Sequence, residues 1–256
     1  MPGIGVPVQG LAALGLLAGL GLLAGLILGS FIAALTSRWP QGRSIVHGRS
    51  ACESCGATLG ARDLVPVLSH IALRGKCRHC GAPIPPRNLG IELAAGFIGA
   101  VSLAAVPGWA GLAGAGFGWV LLALAVLDAE HFWLPDRLTL PLILAGLAFG
   151  LPSLPDRAIG AAIGYAALAL IAFAYARLRG RTGLGGGDPK LLAAIGAWLG
   201  WSALPFAVLL AASLGLVLVG LDRLRGRQVT AQTRVPLGAL MAVAAWPLWL
   251  AAPLLP

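Results

Sequence analysis

The stretch LAAGFIGAVSLAAVPGWAGLAGAGFGWVLLALAVL, residues 93–127, contains no charged side chain and ends directly before Asp128. A transmembrane helix needs about 20 predominantly apolar residues, so this stretch is long enough to cross a membrane. The pair Pro107-Gly108 interrupts it, and such a pair favours a turn. The stretch therefore predicts two transmembrane helices, at about 89–106 and 109–128.

The whole chain shares this apolar character. Of its 256 residues, 58% are hydrophobic and only 11% are charged, whereas about a quarter of the residues of soluble proteins are charged. This composition predicts an all-α polytopic membrane protein that is surrounded by a lipid bilayer. The net charge of +9 does not indicate nucleic-acid binding, because the basic residues lie between apolar segments, where arginine sets membrane orientation.

Further apolar segments bring the predicted number of transmembrane helices to about eight. The charge-free run 191–221 would be on the order of 46 Å long as one helix, and Pro205 lies in its middle. We therefore divide it into two. The first span carries glycines at spacings that allow close helix packing, namely Gly15, Gly19, Gly21, Gly25 and Gly29. The predicted spans are 8–36, 89–106, 109–128, 138–153, 158–177, 189–204, 205–221 and 236–254.

The distribution of basic residues predicts the orientation. If the N-terminus lies outside, eight spans place every Lys and Arg except Arg157 on the cytoplasmic side, in agreement with the positive-inside rule. Seven spans would instead place the arginine-rich loop 222–235 outside. The eight-span arrangement also brings Asp128 and Asp188 to the same, cytoplasmic, end of the membrane, although their lateral distance does not follow from the sequence.

The polar loop between the first two spans contains all four cysteines, in the motifs Cys52-Glu53-Ser54-Cys55 and Cys77-Arg78-His79-Cys80. Two such motifs at this spacing are typical of a structural zinc ion with four thiolate ligands. The alternative is two disulfides, which are rare in the reducing cytoplasm. His79 is a candidate substitute ligand, but a solvated histidine is the simpler interpretation. The loop is therefore predicted to be a small zinc-ribbon-like domain.

Asp128 and Asp188 are the candidate catalytic residues. A carboxylate at membrane depth is costly and marks a functional site by default. Two carboxylates that meet can share one proton, as they do in aspartic proteases. The segment Gly183-Leu184-Gly185-Gly186-Gly187 precedes Asp188, and its bare backbone allows a peptide to approach the acid.

Other interpretations of these acids stay open at this stage. Asp188 can cap the helix that follows it, Asp128 can be an ordinary helix end, and Asp136 is predicted to cap the next span. His131 is close enough to Asp128 in the sequence to influence it. A proton- or cation-coupled transporter also uses membrane carboxylates, but it usually holds them near the midplane between inverted repeats, and the sequence shows no convincing repeat.

Several motifs together resemble those of the bacterial type IV prepilin peptidases, which are bifunctional leader peptidases and N-methyltransferases. The most specific are Asp128 with Leu134-Pro135-Asp136, and Gly185-x-Gly187-Asp188-x-Lys190, a signature shared with intramembrane aspartic proteases generally. The resemblance also covers Gly29-Ser30-Phe31, Arg38-Trp39-Pro40, both cysteine motifs, and the positions Pro85, Arg87 and Glu92.

The resemblance implies that Asp128 and Asp188 are the catalytic aspartates, one acting as general base on a water molecule and the other as acid toward the peptide. It implies that the basic leader of prepilins or pseudopilins is cut after glycine, at the cytoplasmic face of the bacterial inner membrane. It further implies methylation of the new N-terminal residue from S-adenosylmethionine. Ile32-Ala33-Ala34 and Asn88-Leu89-Gly90 depart from the commoner family residues in the region associated with methylation. A peptidase without methyltransferase activity is therefore the alternative, and no residue is assigned to the methyl donor.

The predicted domain organisation has three parts. Residues 1–36 form the first transmembrane helix, and residues 37–88 form the cytoplasmic zinc-binding loop domain. Together with the start of the next span, as residues 1–92, they make up the methyltransferase-associated region. Residues 89–256 form a seven-helix aspartic peptidase domain in the membrane.

Overall fold

The structure is a computed structural model that describes residues 8–44, 50–180, 184–227 and 234–252, with side chains from residue 12 onward. Within these ranges every regular element is a helix, apart from two isolated β-bridges. The prediction of an all-α protein is therefore confirmed. Gly183 and the middle of the loop 222–235 lie outside the described residues.

Nine α-helices occur in the described ranges, and eight of them coincide with the eight predicted spans. The exception is α2, a helix of five residues in the cysteine loop. The helices are α1 Val8–Arg38, α2 Leu68–Ala72, α3 Pro86–Ala105, α4 Trp109–His131, α5 Asp136–Phe149, α6 Leu154–Arg179, α7 Asp188–Leu199, α8 Leu204–Leu224 and α9 Leu237–Ala251.

Five helical segments of the described chain are long and apolar enough to cross a membrane. The other three helices at predicted spans, α5, α7 and α9, contain 14, 12 and 15 residues, fewer than the about 20 that a full crossing needs. The structure thus contains the expected helices, five of which have the length of a span. These five are Ala12–Gln41, Pro86–Ala105, Trp109–His131, Leu154–Arg179 and Trp201–Leu224.

The break between α7 and α8 has a different cause from the predicted one. The sequence predicts the break at Pro205, but α7 already ends at Leu199 because Gly200 has a φ of 79°. Glycine adopts this backbone conformation readily, and other residues rarely do. Pro205 lies instead in the first turn of α8, where no intrahelical hydrogen bond is lost.

The helices group into two compact units, Met1–Trp119 and Val120–Pro256, and the boundary falls inside α4. In the N-terminal unit α1 packs along α3. A Cβ atom at Gly25 would overlap the backbone of Ala95, and one at Gly29 would lie 2.7 Å from Glu92 Cα. The predicted close packing through glycines is therefore confirmed for this part of α1.

The substitution Gly25→Leu is expected to destabilise the protein because α1 and α3 must separate to admit the side chain. Overpacking of this kind costs about 1–3 kcal/mol, which corresponds to a fall of roughly 2–10 °C in Tm for a chain of this size. Gly19→Leu is the matched control, since a Cβ atom at Gly19 meets no atom within 4 Å. Thermal unfolding in detergent measures both variants, and equal Tm values would contradict the packing.

In the C-terminal unit, α7 is the central helix. It contacts α5, α6, α8 and α9, and each of its residues except Lys190 is buried. A helix that is apolar on all sides is expected to be enclosed by other helices. A Cβ atom at Gly164 of α6 would lie 2.6 Å from the carbonyl oxygen of Leu192, so α6 approaches the backbone of α7 closely. This packing fixes the position of Asp188, the first residue of α7.

Candidate active site and cysteine cluster

Two carboxylates are buried in the C-terminal unit. Asp128 lies in the last turn of α4 and is 6% exposed, and Asp188 begins α7 and is 7% exposed. In the part of the chain that the structure describes, no other charged side chain is buried. Because burial of a carboxylate is unfavourable without specific partners, these two positions are the strongest candidates for a functional site.

Each carboxylate is held by a backbone N–H group. Asp128 Oδ2 accepts a hydrogen bond from the N–H of Ala239, in the first turn of α9, at 2.7 Å. Asp188 Oδ2 accepts one from the N–H of Gly185 at 3.0 Å. The two carboxylates are also close enough for the charge of Asp128 to act on Asp188. Two carboxylates that interact electrostatically resist being ionised together, so that one can serve as an acid and the other as a base.

Leu134 connects the segments that carry the two acids. Its side chain is buried. A Cβ atom at Gly187 would lie 2.5 Å from Leu134 Cβ, and one at Gly238 would lie 2.7 Å from Leu134 Cδ1 and 3.0 Å from Asp128 Oδ2. Glycine at both positions therefore lets α7 and α9 begin directly against Leu134, with room for the Asp128 carboxylate.

The interpretations of Asp136 and Asp188 as helix N-caps are both wrong, because the N-cap residues of α5 and α7 are Pro135 and Gly187. Asp136 is the first residue of α5, and its carboxylate forms an ion pair with Lys190 Nζ at 2.6 Å. Asp188 is likewise the first helical residue of α7. The ion pair joins the first turns of α5 and α7, which both begin beside the buried acids.

Sequence reasoning predicted α9 but missed the contribution of its first turn to the candidate site. Gly238 and Ala239 contact Asp128 through their backbone and their small size, so no polar side chain marks their role. The available signal was a glycine at the beginning of an apolar span, which needs a packing reason because glycine is unfavourable in helices. His131, which the sequence brings near Asp128, lies 3.8 Å from the carboxylate of Glu130.

The four cysteines meet in the N-terminal unit as free thiols, and their sulfur atoms all lie within 4.8 Å of one another. The distance between Cys52 Sγ and Cys80 Sγ is 3.9 Å. Two ligands of a tetrahedral zinc ion with Zn–S bonds of about 2.3 Å would be about 3.8 Å apart, whereas a disulfide has an S–S bond of about 2 Å. The sulfur atoms and their spacing therefore fit one metal ion, and the disulfide interpretation is wrong.

Both cysteine motifs form the same turn. The glycines that follow them, Gly56 and Gly81, have φ values of 70° and 71°, and each donates its N–H to the carbonyl of the first cysteine of its motif at 2.9 Å. In the first motif, backbone N–H groups lower the pKa of the Cys52 thiol to about 6, whereas the neighbouring thiols raise the pKa of Cys80 to about 11. One thiolate of the cluster therefore forms readily before a metal binds. His79 does not belong to the cluster.

Two family descriptions match the chain. The Bacterial Peptidase A24 N-terminal domain matches residues 23–106 and the Type IV leader peptidase family matches residues 115–220. A Prepilin leader peptidase/N-methyltransferase from Aeromonas hydrophila is 43% identical over 204 residues, which are 77% of this chain and 70% of the relative. The chain belongs to the type IV leader peptidase family.

The names of two other relatives support this membership in the leader peptidase family. Proteins of the same name from Burkholderia pseudomallei and Pseudomonas aeruginosa are 48% and 39% identical to this chain over 199 and 208 residues. The aligned parts cover 64% and 71% of those two relatives and 76% and 79% of this chain, so the chain spans about two thirds of their length. No solved structure matches the chain at a significant level.

Proposed function

We propose that this member of the leader peptidase family cleaves the basic leader of type IV prepilins or pseudopilins after glycine and then methylates the new N-terminal residue. The observation that carries the proposal is the pair of buried aspartates, Asp128 and Asp188, in the segment that matches the Type IV leader peptidase family. The shared name of the relatives supports both activities. Nothing in the comparisons favours a proton- or cation-coupled transporter.

Peptide hydrolysis in this proposal uses the two carboxylates in complementary protonation states. The ionised carboxylate takes a proton from a water molecule, whose oxygen attacks the scissile carbonyl, and the protonated one gives its proton to the leaving nitrogen. Two observations support this assignment: both carboxyl groups are buried, and the charge of Asp128 acts on Asp188. Each of them disfavours the state in which both groups are ionised. The N–H groups of Ala239 and Gly185 would hold the two side chains in place during the reaction.

We also propose that eight helices of the protein lie in the bacterial inner membrane, with the N-terminus outside. The positions of the helices and the distribution of Lys and Arg support this arrangement. A short helix such as α7 is compatible with it, because other helices enclose α7. Residues 37–88 would then form a cytoplasmic metal-binding domain, residues 89–256 the peptidase domain, and both aspartates would lie at the cytoplasmic end.

The proposal includes two cofactors. A structural zinc ion fits the four cysteine thiolates, which would leave no open coordination position. It would stabilise a loop whose described part contains only short helical segments and two isolated β-bridges. S-adenosylmethionine would supply the methyl group.

Purified wild-type protein is expected to contain about one zinc ion per chain, and Cys80→Ser is expected to lose most of it because a four-thiolate site loses a ligand. His79→Ala is the matched control, since His79 lies next to Cys80 but outside the sulfur cluster. Elemental analysis of protein prepared without chelators gives the metal content. A wild-type protein without zinc, or equal zinc loss in both variants, would contradict the metal site.

Cleavage by protein reconstituted in liposomes tests the function. A synthetic leader peptide is added, the products are identified, and proton and cation flux across the same liposomes is recorded. The expected result is a single cut after glycine, with no ion flux above that of empty liposomes. Ion flux without peptide cleavage would support the transporter and overturn the peptidase.

A further inference from the structure

A cleft of about 820 Å³ lies beside the cysteine cluster in the N-terminal unit. Its wall combines the end of α1, the start of α3 and the cysteine loop, as shown by Ser37, Asn88 and Cys77 in the lining. Binding sites for small molecules have volumes of about 300–1,000 Å³. The cleft is therefore large enough for a cofactor-sized molecule, and neither Asp128 nor Asp188 belongs to its lining.

The charged side chains of the cleft are balanced, with three arginines and three acids in the lining. Four of these side chains form two ion pairs. Arg78 contacts Asp63 at 2.8 Å and holds the pKa of the Asp63 carboxyl below its usual range, and Arg43 lies 3.8 Å from Glu53. A cleft with balanced charge is a poor match for a polycationic leader peptide.

The remaining two charges, Arg38 and Glu92, do not pair with these groups. Among the residues that the structure describes, neither the guanidinium of Arg38 nor Oε1 of Glu92 has a hydrogen-bond or ion-pair partner. Both side chains line the cleft and are partly buried. The cleft therefore offers one anion and one cation to a ligand.

Glu92 is held in place by an unusual turn. Its Oε2 accepts a hydrogen bond from the N–H of Val67 at 2.8 Å. Val67 has φ 60° and ψ −52°, and the N–H of Leu68 donates to the carbonyl of Pro66 at 2.5 Å. This γ-turn is strained, above all for a β-branched residue, and such strain clusters at functional sites. The turn fixes one carboxylate oxygen of Glu92 and leaves the other for a ligand.

We propose that this cleft binds S-adenosylmethionine, with the α-ammonium group of its amino-acid end on Glu92 and the α-carboxylate on Arg38. One anion and one cation without protein partners match an amino-acid zwitterion, and the arginine fork matches a carboxylate. Leu59, Leu73 and Leu89 in the lining offer an apolar surface to the adenosine part. The inference rests on the proposed methylation and assigns its cofactor site.

Calorimetric titration of the 256-residue protein in detergent tests the site with two probes. S-adenosylhomocysteine keeps the amino-acid end of the cofactor, and 5′-methylthioadenosine lacks it. The variants are Glu92→Gln, whose amide oxygen can still accept the N–H of Val67, and Arg38→Gln. Arg62→Gln and Asp222→Asn are the matched controls, because neither of these residues lines the cleft.

Each cleft variant is expected to bind S-adenosylhomocysteine about tenfold more weakly, because it lacks one charged hydrogen bond to the ligand. The affinity for 5′-methylthioadenosine should stay as in the wild-type protein, and both controls should bind both probes normally. Unchanged affinity for S-adenosylhomocysteine in both cleft variants would overturn the proposal. An equal loss for both probes would overturn the placement of the amino-acid end.

Two further measurements separate this site from the proposed function. Weaker binding of a leader peptide to the cleft variants, with unchanged affinity for S-adenosylhomocysteine, would make the cleft a peptide site and overturn the proposal. If the wild-type protein transfers methyl groups while the cleft variants bind S-adenosylhomocysteine with unchanged affinity, only the location of the cofactor site is overturned. Absence of methyl transfer and of S-adenosylhomocysteine binding in the wild-type protein would overturn the proposed methylation as well.

Discussion

Replacement of either buried aspartate, as Asp128→Asn or Asp188→Asn, is expected to slow leader cleavage by on the order of 10⁴-fold or more. Asparagine keeps a side-chain oxygen that can accept the N–H of Ala239 in one case and of Gly185 in the other, so the local structure should persist. It cannot take up or release a proton in the way a carboxyl group does, so either substitution removes an acid–base partner. The measurement is the initial rate of leader cleavage by membranes that contain equal amounts of protein.

The control for these variants is Asp222→Asn, which removes a carboxylate from the same unit. Asp222 forms a surface ion pair with Arg227 at 3.0 Å, and such pairs contribute about 0–1 kcal/mol. This variant should therefore cleave at the wild-type rate. The double variant Asp128→Asn/Asp188→Asn should be no slower than the singles, since groups that act as a unit are not additive. Rapid cleavage by either single variant would show that its carboxylate is not catalytic.

The substitution Gly238→Val is expected to slow cleavage by about 100-fold although it leaves both acids in the chain. A Cβ atom at this position would lie 2.7 Å from Leu134 Cδ1 and 3.0 Å from Asp128 Oδ2, so Leu134 or the carboxylate has to move. A displacement of about 1 Å in a catalytic group can slow a reaction by on the order of 10²-fold. The loss should fall mainly on kcat, which steady-state kinetics with a leader peptide measures.

Gly220→Val is the matched control for this position. Gly220 lies in α8 of the same unit, and a Cβ atom there meets no atom within 4 Å. Both substitutions change helix propensity in the same way, so only the contact with Leu134 and Asp128 distinguishes them. Equal losses of activity in the two variants would mean that Gly238 does not position the acid.

Helix positions could be predicted where the signal is local. Pro107-Gly108 lies between the end of α3 at Ala105 and the start of α4 at Trp109, because a proline–glycine pair interrupts an apolar run wherever it occurs. The end of α7 could not be predicted from Pro205, since Gly200 ends the helix earlier. The length of α7 also escaped prediction, because a helix enclosed by other helices need not match the thickness of a bilayer.

The candidate site could be predicted where its chemistry depends on rare side chains. Asp128, Asp188 and the cysteine motifs are conspicuous in a chain with so few polar groups. The role of Gly238 could not be derived from its one sequence signal, a glycine at the start of an apolar span, because its contact with Leu134 and Asp128 follows only from the tertiary structure. The partner of Asp136 was hidden for a similar reason, since Lys190 lies 54 positions away in the chain.

The mass of the new N-terminus of a processed prepilin distinguishes the proposed function from its alternatives. Wild-type protein in membranes is incubated with a prepilin and S-adenosylmethionine, and the product is analysed by mass spectrometry. The expected product begins at the residue after the leader glycine and carries one additional methyl group on its N-terminal nitrogen, and Asp188→Asn yields none of it. A prepilin that the wild-type protein leaves intact, or cuts at another bond, would contradict the proposed function.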